Sequence, residues 1–289
     1  MHARAVAATT TALLGASLVC PTSPAEAAAH ARPVIVAHRG ASAYAPENTL
    51  PAIDRAAALG IPWVENDVQR TKDGRLVVLH DDSLARTTDV EQVFPGRAPW
   101  KVKDFTAAEI ARLDAGSWFS PRYRGTRVPT LAQYMRRVEH NHEKLLLEVK
   151  NPQLYPGIER QILRLLANEG WLDRRHLADR LIVQSFSADS VRIVHALDPA
   201  VPTALLGRPA AADLRRYATF VDMVNPPWGT LSADYVGTVH SVLGAHHRPL
   251  RVFAWTVDRA ADARKVAGYG VDGIITNRPD VVRDALNSV

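Results

Sequence analysis

Three acidic residues stand where β-strand alternation would turn them to one face. In VENDV (64–68), Glu65 and Asp67 are two residues apart, so a strand through them sets both carboxylates on one side and Val64 and Val68 on the other. Burying two carboxylates together costs repulsion and lost hydration, on the order of several kcal/mol. A hard cation relieves both, because Mg²⁺ and Ca²⁺ take oxygen ligands. Exposure at a strand end, or a salt bridge to arginine, would relieve them too. In KLLLEVK (144–150), Leu146, Glu148 and Lys150 share a face, opposite Leu145, Leu147 and Val149. That adds a third inward carboxylate and a cation suited to a phosphate oxygen, or alternatively an internal Glu–Lys ion pair.

Two histidines extend the set. The segment PVIVAH (33–38) runs into Arg39-Gly40, and His38 falls on the face of Val34 and Val36. The guanidinium of Arg39 is a planar fork that matches phosphate oxygens. Gly40 permits a sharp turn, and Asn48 or Thr49 can cap the helix that follows. His80-Asp81 returns from a hairpin. Two histidines beside a metal site can divide general acid and general base work, since each titrates near neutrality. No Gly-x-Ser-x-Gly elbow or Ser-His-Asp arrangement marks a serine hydrolase. No Walker loop or Gly-x-Gly-x-x-Gly fingerprint follows the first strand, which disfavours nucleotides and dinucleotides. Trp255 alternates inward with Phe253 and Arg251, and Phe186 and Asn225 fall at strand ends. Phe186, Asn225 and Trp255 could therefore line a pocket, or simply pack.

The elements that must position these groups alternate along the chain. Apolar runs at 33–38, 61–68, 144–150, 180–185, 202–206, 220–225, 250–256 and 272–276 are predicted strands. Helical patterns lie between most of them, at 49–59, 130–140, 157–168, 187–196 and 258–267. Eight strands in βα units fit a closed (β/α)8 TIM barrel with helices outside. No boundary rich in Gly, Ser or Pro splits the series, so 28–289 reads as one domain. Residues 75–80 (RLVVLH) break the alternation, following the second strand after Thr71-Lys72-Asp73-Gly74. A parallel crossover needs a dozen residues or more, so this run is predicted antiparallel in a hairpin. It returns His80 to the level of Glu65 and Asp67. Residues 81–128 are then an insertion, with one helical patch near 106–113, expected to cap the barrel mouth.

The 289 residues are 47% hydrophobic and 22% charged, an ordinary globular balance. Arg4, an apolar stretch over 5–20 and Ala25-Glu26-Ala27 read as a secretory signal cleaved after Ala27, which makes the protein secreted. That cleavage removes Cys20, the one cysteine, and one charge of each sign (Arg4 and Glu26), so the net charge of +5 is unchanged. A single cysteine rules out an internal disulfide framework and a cysteine-ligated zinc site. The basic balance suits anionic substrates, and the absence of a dense Lys/Arg run with interleaved aromatics argues against nucleic acid.

Taken in order, HRGASAYAPENT (38–49), VENDVQRTKDGRLVVLHDDSLARTT (64–88), LLLEVKNP (145–152), VQSF (183–186), AWTVD (254–258) and GVDGIITNRPD (270–280) resemble the glycerophosphodiester phosphodiesterase family. The resemblance covers almost the whole chain beyond the leader. It implies a (β/α)8 barrel with an insertion after the hairpin, and one divalent metal ion, Ca²⁺ or Mg²⁺, on Glu65, Asp67 and Glu148. It further implies His38 and His80 as the acid/base pair, phosphate contacts from Arg39 and Lys150, and support from Glu47. The reaction it implies is hydrolysis of a small-molecule glycerophosphodiester to sn-glycerol 3-phosphate and an alcohol. The protein is expected to be a monomer or small homo-oligomer with no membrane span after leader removal. Asn66 stands where the family more often has an apolar residue, and alternation turns it away from the site. Two other readings remain: a phospholipase D-like or phosphoinositide-type phosphodiesterase acting on intact lipid, and a non-catalytic binder of glycerophosphate polymers.

Overall fold

Nine strands form one sheet in the computed structural model, which describes residues 1–3, 5 and 32–288. Apart from its first few residues, the leader expected over 1–27, with Cys20 and the cleavage point at Ala27, lies outside the described residues. The strands are β1 (Val34–Ala37), β2 (Trp63–Arg70), β3 (Leu76–Val78), β4 (Lys144–Val149), β5 (Leu181–Ser185), β6 (Thr203–Leu206), β7 (Met223–Asn225), β8 (Arg251–Ala254) and β9 (Gly273–Thr276). Eight of them pair in parallel around a ring, which β1 closes by pairing with both β2 and β9. Only β3 is antiparallel, set against the end of β2 as the Asp-Gly turn predicts. Helices follow the barrel strands: α1 (Leu50–Ala58), α2 (Leu131–His140), α3 (Ile158–Asn168), α4 (Ala188–Leu197), α5 (Leu214–Tyr217), α6 (Ala233–His240), α7 (Ala260–Gly268) and α8 (Pro279–Asn287). The architecture is a (β/α)8 barrel. The sequence pattern did not announce α5, α6 and α8; in α6, Gly237 and the β-branched Val236, Thr238 and Val239 dilute the helical signal.

Alternation sorts the side chains as expected. Inside the barrel, Val36, Trp63, Leu146, Ile182, Ala204, Met223, Phe253 and Ile275 pack together as a solid floor. Outside, Val64, Val68, Leu145, Leu147 and Val149 meet Leu131, Tyr134, Met135 and Val138 of α2. A capping box between Thr130 and Gln133 starts that helix. The cap expected on α1 is absent: Thr49 donates instead to the Pro46 carbonyl, and the Asn48 amide is drawn to Asp67. Pro51 in the first turn of α1 starts that helix without a side-chain cap.

Residues 81–128 differ from the expected cap. They hold several short helical turns, at Val90–Val93, Pro95–Arg97, Val102–Asp104, Ala107–Ile110 and Pro121–Tyr123, where one patch was expected. Their apolar residues, among them Leu84, Val90, Val102, Phe105, Ile110 and Leu113, form a separate core with Val77 and Leu79 of the hairpin. None of these residues lines the central pocket. The segment needs its own apolar floor, and the hairpin beside the barrel provides it.

Two buried polar residues carry stability predictions. Asn66 is fully buried on the helix-facing side of β2, and neither its Oδ1 nor its Nδ2 finds a protein partner. An unpaired buried amide costs about 1–3 kcal/mol, so Asn66→Leu should raise the unfolding free energy by about 1–2 kcal/mol in urea titration. Glu143, at the entrance to β4, is raised to about 8, first by burial and then by Asp54, against a hydrogen bond from Asn141 that lowers it. An acid whose folded value lies above its ordinary 4.5 binds its proton more tightly when folded. Its contribution is therefore present at low pH and lost as pH rises through about 8. In chelator, the fall in Tm between about pH 5 and pH 9 should be smaller in Glu143→Gln than in the parent chain.

Candidate active site

Two residues beyond the apolar floor, the same inward faces turn polar. Val36 is followed by His38, Trp63 by Glu65, Leu146 by Glu148, Ile182 by Gln184 and Phe253 by Trp255. These residues, with Arg39, His80, Lys150, Phe186, Leu206, Thr256 and Ile275, line a pocket of about 90 Å³ at the barrel mouth. Asp67 pairs with Glu148 across β2 and β4, and Glu65 lies one inward position below. The three carboxylates are buried, each placing an oxygen within 4.8 Å of the others.

Cations answer part of this charge. Lys150 Nζ lies 2.8 Å from Glu148 Oε1 and 3.4 Å from Asp67 Oδ1, and Arg39 Nε lies 3.5 Å from Asp67 Oδ2. Asn48 Nδ2 donates to Asp67 at 2.8 Å, and the Arg39 backbone N–H donates to Glu65 at 2.9 Å. Burial pushes the Asp67 carboxyl up, but Lys150 and then Arg39 outweigh it and hold it at about 2. The other two are not compensated. Burial, then Asp67 and Glu148, raise Glu65 well above the ordinary range; burial, then Asp67, raise Glu148 to about 8. Ionising all three would set three negative charges against two cations, and the raised Glu65 and Glu148 oppose this while no further cation is present. This all-oxygen donor set fits a hard divalent ion such as Mg²⁺ or Ca²⁺.

Each histidine is oriented through Nδ1. Asp258 Oδ2 accepts from Asn277 Nδ2 at 2.8 Å, which turns the Asn277 amide oxygen to His38 Nδ1 at 2.7 Å. An amide oxygen only accepts, so His38 carries its proton on Nδ1 and leaves Nε2 as the free ring nitrogen. Burial first, and Arg39 next, lower His38 to about 4. His80 Nδ1 meets Asp81 Oδ1 at 2.6 Å, which fixes the same tautomer. The hairpin returns His80 to the site as the short Asp-Gly connection predicts: Leu79 N–H donates to the Asp67 carbonyl, and Gln69 Nε2 donates to the carbonyls of Leu79, His80 and Asp81.

Glu47 receives Arg39 Nη1 at 2.9 Å and bonds the Arg86 guanidinium. Phe186, 54% exposed, stands edge-on to Trp255 at the rim with ring centroids 5.5 Å apart. Asn225 is fully buried and does not line the pocket; its Nδ2 donates to Gln184 Oε1, and Gln184 is the residue that faces the pocket. Sequence reasoning assigned no role to Asn277, Asp258, Gln69, Gln184 or Arg86. All five sit inside runs already singled out, but polar groups that act through another side chain leave no periodic signal. Among the described residues no helix is long and apolar enough to cross a membrane.

The fold agrees with the comparisons. The sequence model of the Glycerophosphoryl diester phosphodiesterase family matches residues 38–281. The chain is 35% identical over 264 residues to the glycerophosphodiester phosphodiesterase of Bacillus subtilis, covering 86% of this chain and 85% of that one. It is 34% identical over 251 residues to the glycerophosphodiester phosphodiesterase of Caldanaerobacter subterraneus, covering 86% of this chain and 96% of that one. A solved phosphodiesterase of Oleispira antarctica, in complex with the product sn-glycerol-3-phosphate, superposes with a TM-score of 0.76 at 27% identity, covering 89% of this chain and 97% of that chain. The chain belongs to the glycerophosphoryl diester phosphodiesterase family and is an enzyme of that class.

The carboxylate layer makes a direct prediction. Glu65→Gln and Glu148→Gln should each weaken Ca²⁺ or Mg²⁺ binding by about tenfold or more, measured by calorimetry on chelator-treated protein. Unchanged binding in both variants would move the ion elsewhere.

Proposed function

We propose that this chain hydrolyses glycerophosphodiesters to sn-glycerol 3-phosphate and an alcohol such as choline or ethanolamine, and that it does so outside the cell after cleavage near Ala27. One observation carries the chemistry. Two histidines with Nδ1 engaged, three carboxylates and two cationic side chains belong to one small pocket or its wall. Export rests on the leader pattern in residues 1–27 alone.

Glu65, Asp67 and Glu148 would hold one divalent ion, Ca²⁺ or Mg²⁺. Such an ion supplies electrophilic stabilisation of the phosphodiester's negative charge. Arg39 and Lys150 would bind non-bridging phosphate oxygens, the guanidinium through its fork and the ammonium as a point charge. Glu47 supports this by fixing the Arg39 fork. The attacking oxygen, from water or from the substrate's own 2-hydroxyl, gives its proton to Nε2 of one histidine as the new P–O bond forms. The P–O bond to the departing alcohol breaks with its electron pair on oxygen. The other histidine, which enters the step as the imidazolium with both ring nitrogens protonated, supplies that oxygen with a proton from Nε2. Where the 2-hydroxyl is the attacker, water then opens the resulting cyclic phosphate to sn-glycerol 3-phosphate. Asn277 and Asp81 keep the ring nitrogens in register for these transfers, and Phe186 with Trp255 gives the organic part of the substrate an apolar wall.

The test is release of sn-glycerol 3-phosphate from glycerophosphocholine by the chain recovered from the medium, its N-terminus read by mass spectrometry. The expected N-terminus is Ala28 or within a residue or two of it. His38→Ala and His80→Ala should each lower kcat by about 100-fold or more while the circular dichroism stays that of the parent. Normal rates in either variant would remove that histidine from the mechanism. Turnover of intact phospholipid but not of the deacylated diester would replace the substrate proposed here, and binding without any turnover would leave only a recognition role.

A further inference from the structure

We propose that Arg86 is a positioning residue for the reaction: one guanidinium, carried by the insertion, holds together the two carboxylates that orient Arg39 and His80. Its Nη1 and Nη2 donate to Glu47 Oε2 and Oε1 at 2.9 and 2.8 Å, while Nε and Nη2 donate to Asp81 Oδ2 and Oδ1 at 2.6 and 3.1 Å. The two oxygens that Nη2 joins are the ones that reach the site. Glu47 Oε1 also accepts Arg39 Nη1 at 2.9 Å, and Asp81 Oδ1 also accepts His80 Nδ1 at 2.6 Å. A side chain from the loop after β3 therefore ties a group on the loop after β1 to one at the end of the hairpin.

The geometry requires arginine. Four oxygens on two carboxylates are bound by three nitrogens in one plane, which the guanidinium fork supplies and an ammonium does not. The chain around Arg86 is held for this purpose: Leu84, Thr87 and Thr88 are buried, Leu84 N–H donates to the Trp100 carbonyl, and Thr88 Oγ1 donates to the Leu84 carbonyl. Both carboxylates respond to the arrangement. Bonding to Arg86 is the largest influence on Asp81, which is held at about 2, and burial of Glu47 is outweighed by its bonds to Arg86 and Arg39. Without Arg86, Asp81 is free to turn towards solvent, and neither Arg39 nor His80 is fixed relative to the other.

This inference rests on the reading of Arg39 and His80 as reacting groups, which turnover by the parent chain tests first and separately. In the same assay Arg86→Lys and Arg86→Ala should each lower kcat by about tenfold to a hundredfold with KM within about threefold, because displacing catalytic groups by about an ångström costs that much. Exposed ion pairs add little stability, so Tm should hardly change. Arg86→Ala should regain part of its kcat with millimolar methylguanidinium and none with sodium chloride at equal ionic strength, since the vacated position is 44% exposed. Lys101→Ala, which breaks the Lys101–Asp82 pair of the same insertion, should leave kcat unchanged. A kcat within about threefold of the parent in both Arg86 variants, a loss confined to KM, or a loss that methylguanidinium leaves unrepaired would each overturn the assignment.

Discussion

Like charge crowded into a buried space governs this molecule. Two unit charges about 4 Å apart repel by about 4 kcal/mol at an effective dielectric of 20, and Glu65, Asp67 and Glu148 place three carboxylates at comparable spacing. The protein spends two cations and several donors on them, and the result is uneven. Asp67 takes Lys150, Arg39 and the Asn48 amide and stays ionised, whereas Glu65 and Glu148 are pushed towards their neutral forms. An arrangement tuned for stability alone would replace at least one of the three with an apolar or amide side chain. The three carboxylates together make an all-oxygen group that could hold a cation, beside a pocket open at the barrel mouth.

The barrel makes this arrangement affordable by keeping the apolar and polar layers in register. Most inward floor residues are followed two positions later by a pocket residue, so close packing below holds the charged layer in place above. No strand has to supply more than two of the charges. The hairpin adds what a barrel strand cannot, a histidine that approaches from the rim and points back at the carboxylates. Gln69 fixes that approach through three carbonyls, and the Tyr155 hydroxyl donates to its amide oxygen. Its position on β2 ties the hairpin's return directly to the strand that bears Glu65 and Asp67.

Much of this was legible from residue types and spacing because strand alternation is a short-range rule. Glu65, Asp67, Glu148 and Lys150 needed only the count of residues along two strands, and His80 needed only the length of the Asp-Gly connection. The family resemblance then supplied Glu47. What stayed hidden depends on contacts between distant segments. Asn277 reaches His38 across 239 positions, and Arg86 reaches Glu47 across 39. The α1 cap failed for a related reason: the Asn48 side-chain oxygen that could accept a helix N–H accepts the Asp67 backbone N–H instead, while its Nδ2 donates to the Asp67 carboxylate. Asn225 alternates to the expected face, yet Gln184 stands between it and the pocket.

The insertion follows from the same physics. Orienting a side chain at the rim means ordering the loop that carries it, and a loop without a core would lose about 1–2 kcal/mol of backbone entropy for every residue it immobilises. Residues 81–128 meet that cost by burying Leu84, Val90, Val102, Phe105, Ile110 and Leu113 against Val77 and Leu79, and by anchoring Tyr123 to the Tyr44 carbonyl. A lid would need to open and close, which is hard to reconcile with a core continuous with the hairpin. A fixed buttress needs such a core. It meets the site through Asp81, which bonds His80 directly, and through Arg86, whose two carboxylate partners extend its rigidity to Arg39 on one side and His80 on the other.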